Sequence, residues 1–191
     1  KTYLKVKKFK KIKIINPKYM KNKIVLEGGS IDVNGNGLIL TTRQCLLSKI
    51  QQRNKGFKIH DYNQIFKKFL GVKKVIWLNK GIYGDDTHGH IDDIARFVSK
   101  NKIFIAKENN KKDKNFRNLN ENIRILKEFK RVNRQKFKII YLPMPKAKFI
   151  DGIRVPASYL NFYIANKVVL VPTFEDLNDK IAIKIFKKHF K

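Results

Sequence analysis

Apolar residues run along the chain in short stretches, several of them ended by glycine, proline or asparagine. Lys23–Glu27 (KIVLE) reads as a strand closed by Gly28-Gly29. Ile31–Val33 and Leu38–Thr42 flank Asn34-Gly35-Asn36-Gly37, which predicts a hairpin whose turn needs positive φ. Helical spacing covers Gln44–Gln51 and Tyr62–Leu70, the second stopped by Gly71 at the C′ position. Lys74–Leu78 (KVIWL) predicts a buried strand, and Ile91–Val98 with Ile103–Ala106 a further strand pair. From Asn118 to Val132, the residues Leu119, Ile123, Leu126 and Phe129 share one helical face, and Phe137–Leu142 returns as a strand ended by Pro143-Met144-Pro145. Tyr159–Ala165 and Val168–Val171 predict a second hairpin around Asn166-Lys167. A last helix starts near Asp176 and buries some combination of Ile181, Ile183 and Phe186. Residues 1–15 fit an extended segment or a helix equally well.

Two strands, a helix and a strand recur about three times, the rhythm of an α/β chain. No heptads, low-complexity linker or internal boundary interrupt it, so the 191 residues read as one domain or a large piece of one. Both ends are expected to be cut: the chain starts at Lys1 rather than Met, and stops at Lys191 inside a helical pattern with no stop signal. No run of about 18 apolar residues predicts a membrane span, and no secretory signal pattern is present. The single cysteine, Cys45, excludes an internal disulfide and suits a reducing cytoplasm.

The net charge of +29 points first toward nucleic acid, whose phosphates a basic face neutralises. Composition argues against that as the main function. Only eight of the 44 basic residues are arginine, the side chain suited to bidentate phosphate and base contacts. The lysines run from Lys1 to Lys191 instead of gathering on one element, and they accompany abundant Asn and Ile, which is a compositional bias.

Reactive residues concentrate in Leu26-Glu27-Gly28-Gly29-Ser30 and in Gly84-Asp85-Asp86-Thr87-His88-Gly89-His90-Ile91-Asp92-Asp93. Four carboxylates and two imidazoles in so short a loop call for a positive partner. A guanidinium would serve, because its planar fork of N–H donors matches carboxylates. A metal would serve too, through His88-x-His90-x-Asp92, but only His60 and His189 remain to complete the ligand set and neither carries a motif. Cys45 stands at a helix start, where the dipole lowers a thiol pKa. Leu46 and Leu47 follow it directly, and free cysteine is usually a small buried hydrophobe, which favours a structural role. Trp77, in mid-strand, reads as core.

Three blocks taken together, VLEGGSIDVNGNGLILTTRQCLL, LGVKKVIWLNKGIYGDDTHGHIDDIARFV and PASYLNFYIANKVVLVPTFEDLNDKIAIKIF, resemble the agmatine deiminase and bacterial peptidylarginine-deiminase-type family, in family order from about Ile24 to Phe186. The resemblance implies a pentein, an α/β propeller of five ββαβ modules around a central channel. Residues 1–191 would then be one incomplete pentein domain of about three modules, without its N- and C-terminal ones. It implies hydrolysis of agmatine to N-carbamoylputrescine and ammonia, a step toward putrescine, with no metal or organic cofactor and a small guanidine as partner. Nucleic acid and membrane are not expected as partners, and a homo-oligomer is left open. Glu27 matches the glutamate of the Glu-Gly-Gly motif that faces the guanidinium, His90 the general acid/base, and Asp92 the substrate-holding aspartate two residues on. Asp85 orients the site or binds substrate. Gly28, Gly29 and Gly89 supply turn geometry. His88 and Asp93 depart from the commonest family residues, which bears on the exact substrate. The family's nucleophilic cysteine belongs to a glycine-rich stretch beyond the last helix, and Cys45 matches a different position, so the segment alone is expected to be inactive. The alternatives are a non-catalytic guanidinium-binding remnant and, behind it, a lysine-rich nucleic-acid binder.

Overall fold

The computed structural model describes residues 16–190; the segment 1–15, read above as extended or helical, lies outside the described residues. A two-rung hairpin comes first, β1 (Lys18–Tyr19) with β2 (Asn22–Lys23). The expected strand Lys23–Glu27 is not formed beyond Lys23. Its backbone is satisfied by a side chain instead: the Val25 N–H donates to Asn54 Oδ1 at 2.8 Å, and Asn54 Nδ2 donates to the Val25 carbonyl at 2.8 Å. One amide thus replaces a neighbouring strand.

The asparagine–glycine turn behaves as predicted. β3 (Ile31–Val33) pairs antiparallel with β4 (Leu38–Thr42), with Gly35 and Gly37 at φ 65° and 87°. Asn34 Oδ1 closes the turn by accepting from the N–H groups of Asn36 and Leu38 at 2.8 and 2.9 Å. Helix α1 (Arg43–Leu47) is shorter than the spacing suggested, and Thr42 caps it by accepting from the Cys45 N–H at 3.0 Å. Helix α2 (Ile59–Leu70) ends at Gly71 with φ 64°, after which β5 (Lys74–Leu78) lies parallel to β4.

The same order repeats. Residues expected to open a strand form a 3₁₀ turn, Ile91–Asp93, before β6 (Ala95–Ser99); β6 pairs antiparallel with β7 (Lys102–Lys107), α3 (Asn115–Val132) crosses over, and β8 (Lys138–Pro143) lies parallel to β7. Two hairpins and a helix follow: β9 (Lys148–Ile150) with β10 (Ile153–Val155), β11 (Tyr163–Ile164) with β12 (Val169–Leu170), and α4 (Leu177–His189), whose N-cap is Asp176. The β9–β10 pair was not anticipated, although Asp151-Gly152, at φ 51° and 75°, is a strong hairpin turn. Helix α4 buries Ala182 and Phe186, whereas Ile181 faces outward. The chain is α/β, in separate two- and three-stranded sheets, and none closes into a barrel among the described residues.

Two apolar clusters hold these units. The smaller joins Ile39, Cys45, Leu46, Tyr62, Ile65, Phe66 and Trp77 between the first sheet and its helices. The larger runs from Leu40, Ile76 and Leu78 through Ile103, Phe104, Leu119 and Leu126 to Ala182 and Phe186. Asp32 crosses between the sheets, accepting from Arg96 Nε at 3.1 Å and from the Phe97 N–H at 2.5 Å. Phe104 is fully buried, edge-on to Phe162, Phe186 and Phe190 at centroid distances of 6.4, 5.2 and 6.1 Å. Phe104→Ala is therefore expected to cost about 3–5 kcal/mol. The check is a lower urea midpoint at unchanged slope; an unmoved midpoint would show that this cluster does not carry the core.

Candidate active site

Both three-stranded sheets send the chain ends that carry chemistry to one place. Glu27 is extended (φ −82°, ψ 145°) and leads directly into the 3₁₀ turn Gly28–Ser30, where Ser30 Oγ and N–H donate to the Glu27 carbonyl at 2.6 and 3.0 Å. That turn lies against the one formed by Ile91–Asp93. Glu27 Oε2 meets His90 Nε2 at 2.6 Å, and Glu27 Oε1 accepts from Arg53 Nε at 3.0 Å. The carboxylate keeps 38% of its surface open while the imidazole keeps 12%. Burial pushes the Glu27 carboxyl pKa up, but hydrogen bonds and charge from His90 and Arg53 outweigh it and hold it below its ordinary value.

His90 is held from behind by Asp85. One Asp85 oxygen accepts from the Gly89 and His90 N–H groups at 2.6 and 3.1 Å; the other accepts from the Thr87 N–H at 2.8 Å and from its hydroxyl. These bonds tie the Asp85 carboxylate to the backbone of its own loop. Thr42 Oγ1, at the end of β4, donates to the Gly89 carbonyl at 2.6 Å, so the first sheet also fixes the loop. His88 sits at φ 66° with its ring against the Gln51 amide. Gly81 packs against Gly89 so closely that a Cβ on Gly81 would stand 2.5 Å from the Gly89 Cα.

Asp92 and His90 both press on Gly29: a Cβ built there would lie 2.4 Å from His90 Nδ1 and 2.6 Å from Asp92 Oδ2. Glu27, His90 and Asp92 are thus brought together around one glycine. Asp92 Oδ1 is buried and accepts no hydrogen bond from the described residues. Burial raises the Asp92 pKa against the pull of His90 and Arg96. Asp93 is more deeply buried, and desolvation with the charges of Asp92 and Asp85 pushes it up to about 7. An acceptor with no donor, beside a carboxylate and an imidazole, suits a cation rich in N–H groups.

Two residues stand at the site that the sequence reading did not place there. Cys45 was expected in the core and is buried, but its sulfur also belongs to a group with Glu27 and His90 whose ligand atoms all lie within 4.8 Å. Desolvation pushes this thiol up to about 11, far from a reactive thiolate. Those three donors resemble a metal set, and Glu27 also meets Arg53. Arg53 was not anticipated at all; a lone arginine in Gln51-Gln52-Arg53-Asn54 carries no motif. The histidines weighed as further metal ligands are elsewhere: His60 is exposed on α2, and His189 packs edge-on to Phe104 at 5.4 Å.

Residues 4–191 match the family model described as Porphyromonas-type peptidyl-arginine deiminase. The chain belongs to this family. Among relatives of this deiminase family, the agmatine deiminase of Medicago truncatula is 35% identical over 187 residues, covering 87% of this chain and 50% of its own. Solved structures agree. The agmatine deiminase of C. jejuni, as a variant with substrate bound, aligns with a TM-score of 0.75 at 34% identity, covering 85% of this chain and 48% of that one. That of Enterococcus faecalis aligns with a TM-score of 0.76 at 31% identity, covering 87% and 50%. The chain spans about half the length of the curated relatives it matches. No helix among the described residues is long and apolar enough to cross a membrane.

Proposed function

We propose that the full-length protein containing this chain is a guanidine hydrolase of the agmatine deiminase type, converting agmatine and water to N-carbamoylputrescine and ammonia. The observation that carries the reading is the pair His90 Nε2–Glu27 Oε2 at 2.6 Å, set over Gly29 beside the unpartnered buried oxygen of Asp92. A guanidinium is resonance-stabilised, so attack at its carbon needs the plane fixed and a proton delivered to the departing nitrogen. Glu27 and Asp92 accept its N–H groups; His90 protonates the leaving ammonia and then takes a proton from the water that hydrolyses the amidino-thioether. Asp85 holds the loop that carries His90. The reaction so written calls on no metal or organic cofactor, and its substrate is a small guanidine in the cytoplasm.

In this reading the attacking thiolate is not Cys45, which is buried with its pKa raised to about 11. It comes from a part of the full-length protein outside these 191 residues. A pentein arrangement is supported by the repeated sheet order, β3-β4-β5 and β6-β7-β8, each with one antiparallel and one parallel pairing, followed by hairpins and α4 as part of a third module. Ammonia release from agmatine by the full-length protein tests the activity. Cys45→Ala is expected to keep that turnover and lose about 1 kcal/mol of stability, typical of a core change. Loss of turnover in a folded Cys45→Ala protein would make Cys45 the nucleophile and overturn this assignment. Agmatine binding without ammonia release by the wild-type protein would favour a guanidinium-binding role instead.

A further inference from the structure

Arg53 places a guanidinium of the protein's own against the carboxylate proposed to hold a substrate guanidinium. All three of its nitrogens are used. Nε donates to Glu27 Oε1 at 3.0 Å, Nη1 to the Gln51 carbonyl at 3.2 Å, and Nη2 to the Thr87 carbonyl at 3.0 Å. Thr87 belongs to the turn that Asp85 closes behind His90. One planar group therefore joins the Glu27 segment, its own loop and the His90 loop. Surface pairs are different: Arg131 and Glu128, one turn apart on α3, are both mostly exposed. Arg53 keeps only a fifth of its side-chain surface open.

We infer that Arg53 is a positioning residue of the active site, which aims Glu27 Oε2 at His90 and fixes the distance between the Glu27 and His90 segments. With Oε1 occupied by Arg53, the Glu27 carboxylate has one rotation that also presents Oε2 to the imidazole. Lysine cannot reproduce this, since its ammonium is a point charge without a planar fork. The charged and titratable groups around that carboxylate are Arg53, His90 and Cys45, with Asp92 and Asp85 beside His90. Of these, Arg53 and His90 pull the Glu27 pKa down. Removing Arg53 leaves one of the two, so Glu27 takes up a proton at higher pH than in the wild type.

The kinetic arm of the test rests on the agmatine deiminase reading; the spectroscopic arm does not. In the full-length protein, Arg53→Gln is expected to lower kcat/KM for agmatine about 10²-fold, the scale of a 1 Å misplacement, and to move the acid limb of the pH profile upward. Arg53→Lys is expected to return the acid limb toward the wild-type position while recovering only part of the rate. In the free protein, proton NMR with ¹⁵N-labelled histidine is expected to show a hydrogen-bonded His90 imidazole N–H that is absent in both Glu27→Gln and Arg53→Gln. A wild-type kcat/KM and acid limb in Arg53→Gln would overturn the inference, and so would an increased rate, which would make Arg53 a competitor of the substrate. If the wild-type protein releases no ammonia from agmatine, the functional reading falls, and the His90 proton alone decides: its loss in Arg53→Gln upholds the positioning role and its retention overturns it.

Discussion

In the full-length protein, His90→Ala is expected to lower ammonia release from agmatine by about 10² to 10⁴-fold, the usual worth of a positioned acid–base group. The imidazole is mostly buried, its Nε2 lies 2.6 Å from Glu27 Oε2, and its backbone N–H is fixed by Asp85. Alanine removes the group proposed to deliver the proton and leaves the loop's backbone hydrogen bonds intact. Stability should therefore change little, and agmatine should still bind through Glu27 and Asp92. Steady-state kinetics with a thermal melt beside them make the check. Near-normal turnover in a folded His90→Ala protein would mean that protons move through another residue.

Gly29→Ala is expected to have an effect of comparable size for a different reason. The added methyl would stand 2.4 Å from His90 Nδ1 and 2.6 Å from Asp92 Oδ2, closer than packed atoms allow. Neither neighbour can yield freely, because His90 is bound to Glu27 and to Asp85, and Asp92 follows two residues later in the same turn. The imidazole and the carboxylate must move by about 1 Å to reach ordinary contact, and a shift of that order costs about 10²-fold in rate. Overpacking adds about 1–3 kcal/mol of destabilisation. The neighbouring glycine is the internal control. A Cβ on Gly28 meets nothing within 4 Å, so Gly28→Ala should behave nearly as wild type. Equal losses in the two variants would show that backbone freedom in the turn matters, rather than the approach of His90 and Asp92 to Gly29.

What was legible in the sequence follows how local each determinant is. The Asn34–Gly37 turn, the Gly71 stop and the KVIWL strand depend on neighbours in the chain, and each stands as predicted. The KIVLE segment has strand composition, but a strand also needs a partner, and here the amide of Asn54 fills that place from 29 residues away. Helix α4 carries Ile181, Ile183 and Phe186; its seat on the sheet selects Phe186 and Ala182, a choice fixed only by tertiary packing. Glu27, His90 and Asp92 were visible because their spacing and glycines resemble a known family. Arg53 has no such local context, and its three acceptors come from three parts of the chain. The same is true of Cys45: burial was readable from Leu46 and Leu47, but its nearness to Glu27 and His90 depends on how β4 and α1 meet the His90 loop.

The Asn54 amide has a consequence for how the protein ages. Its oxygen accepts from the Val25 N–H, while its nitrogen donates to the Val25 carbonyl and to the Tyr62 hydroxyl, the latter at 3.0 Å. Spontaneous deamidation would exchange that nitrogen for a second oxygen, leaving a negative charge facing a carbonyl in a buried setting. The segment two residues ahead of Glu27 would come unfastened, next to the arginine that grips its carboxylate. A single slow chemical event at this amide could thus disturb the site while both sheets stay folded.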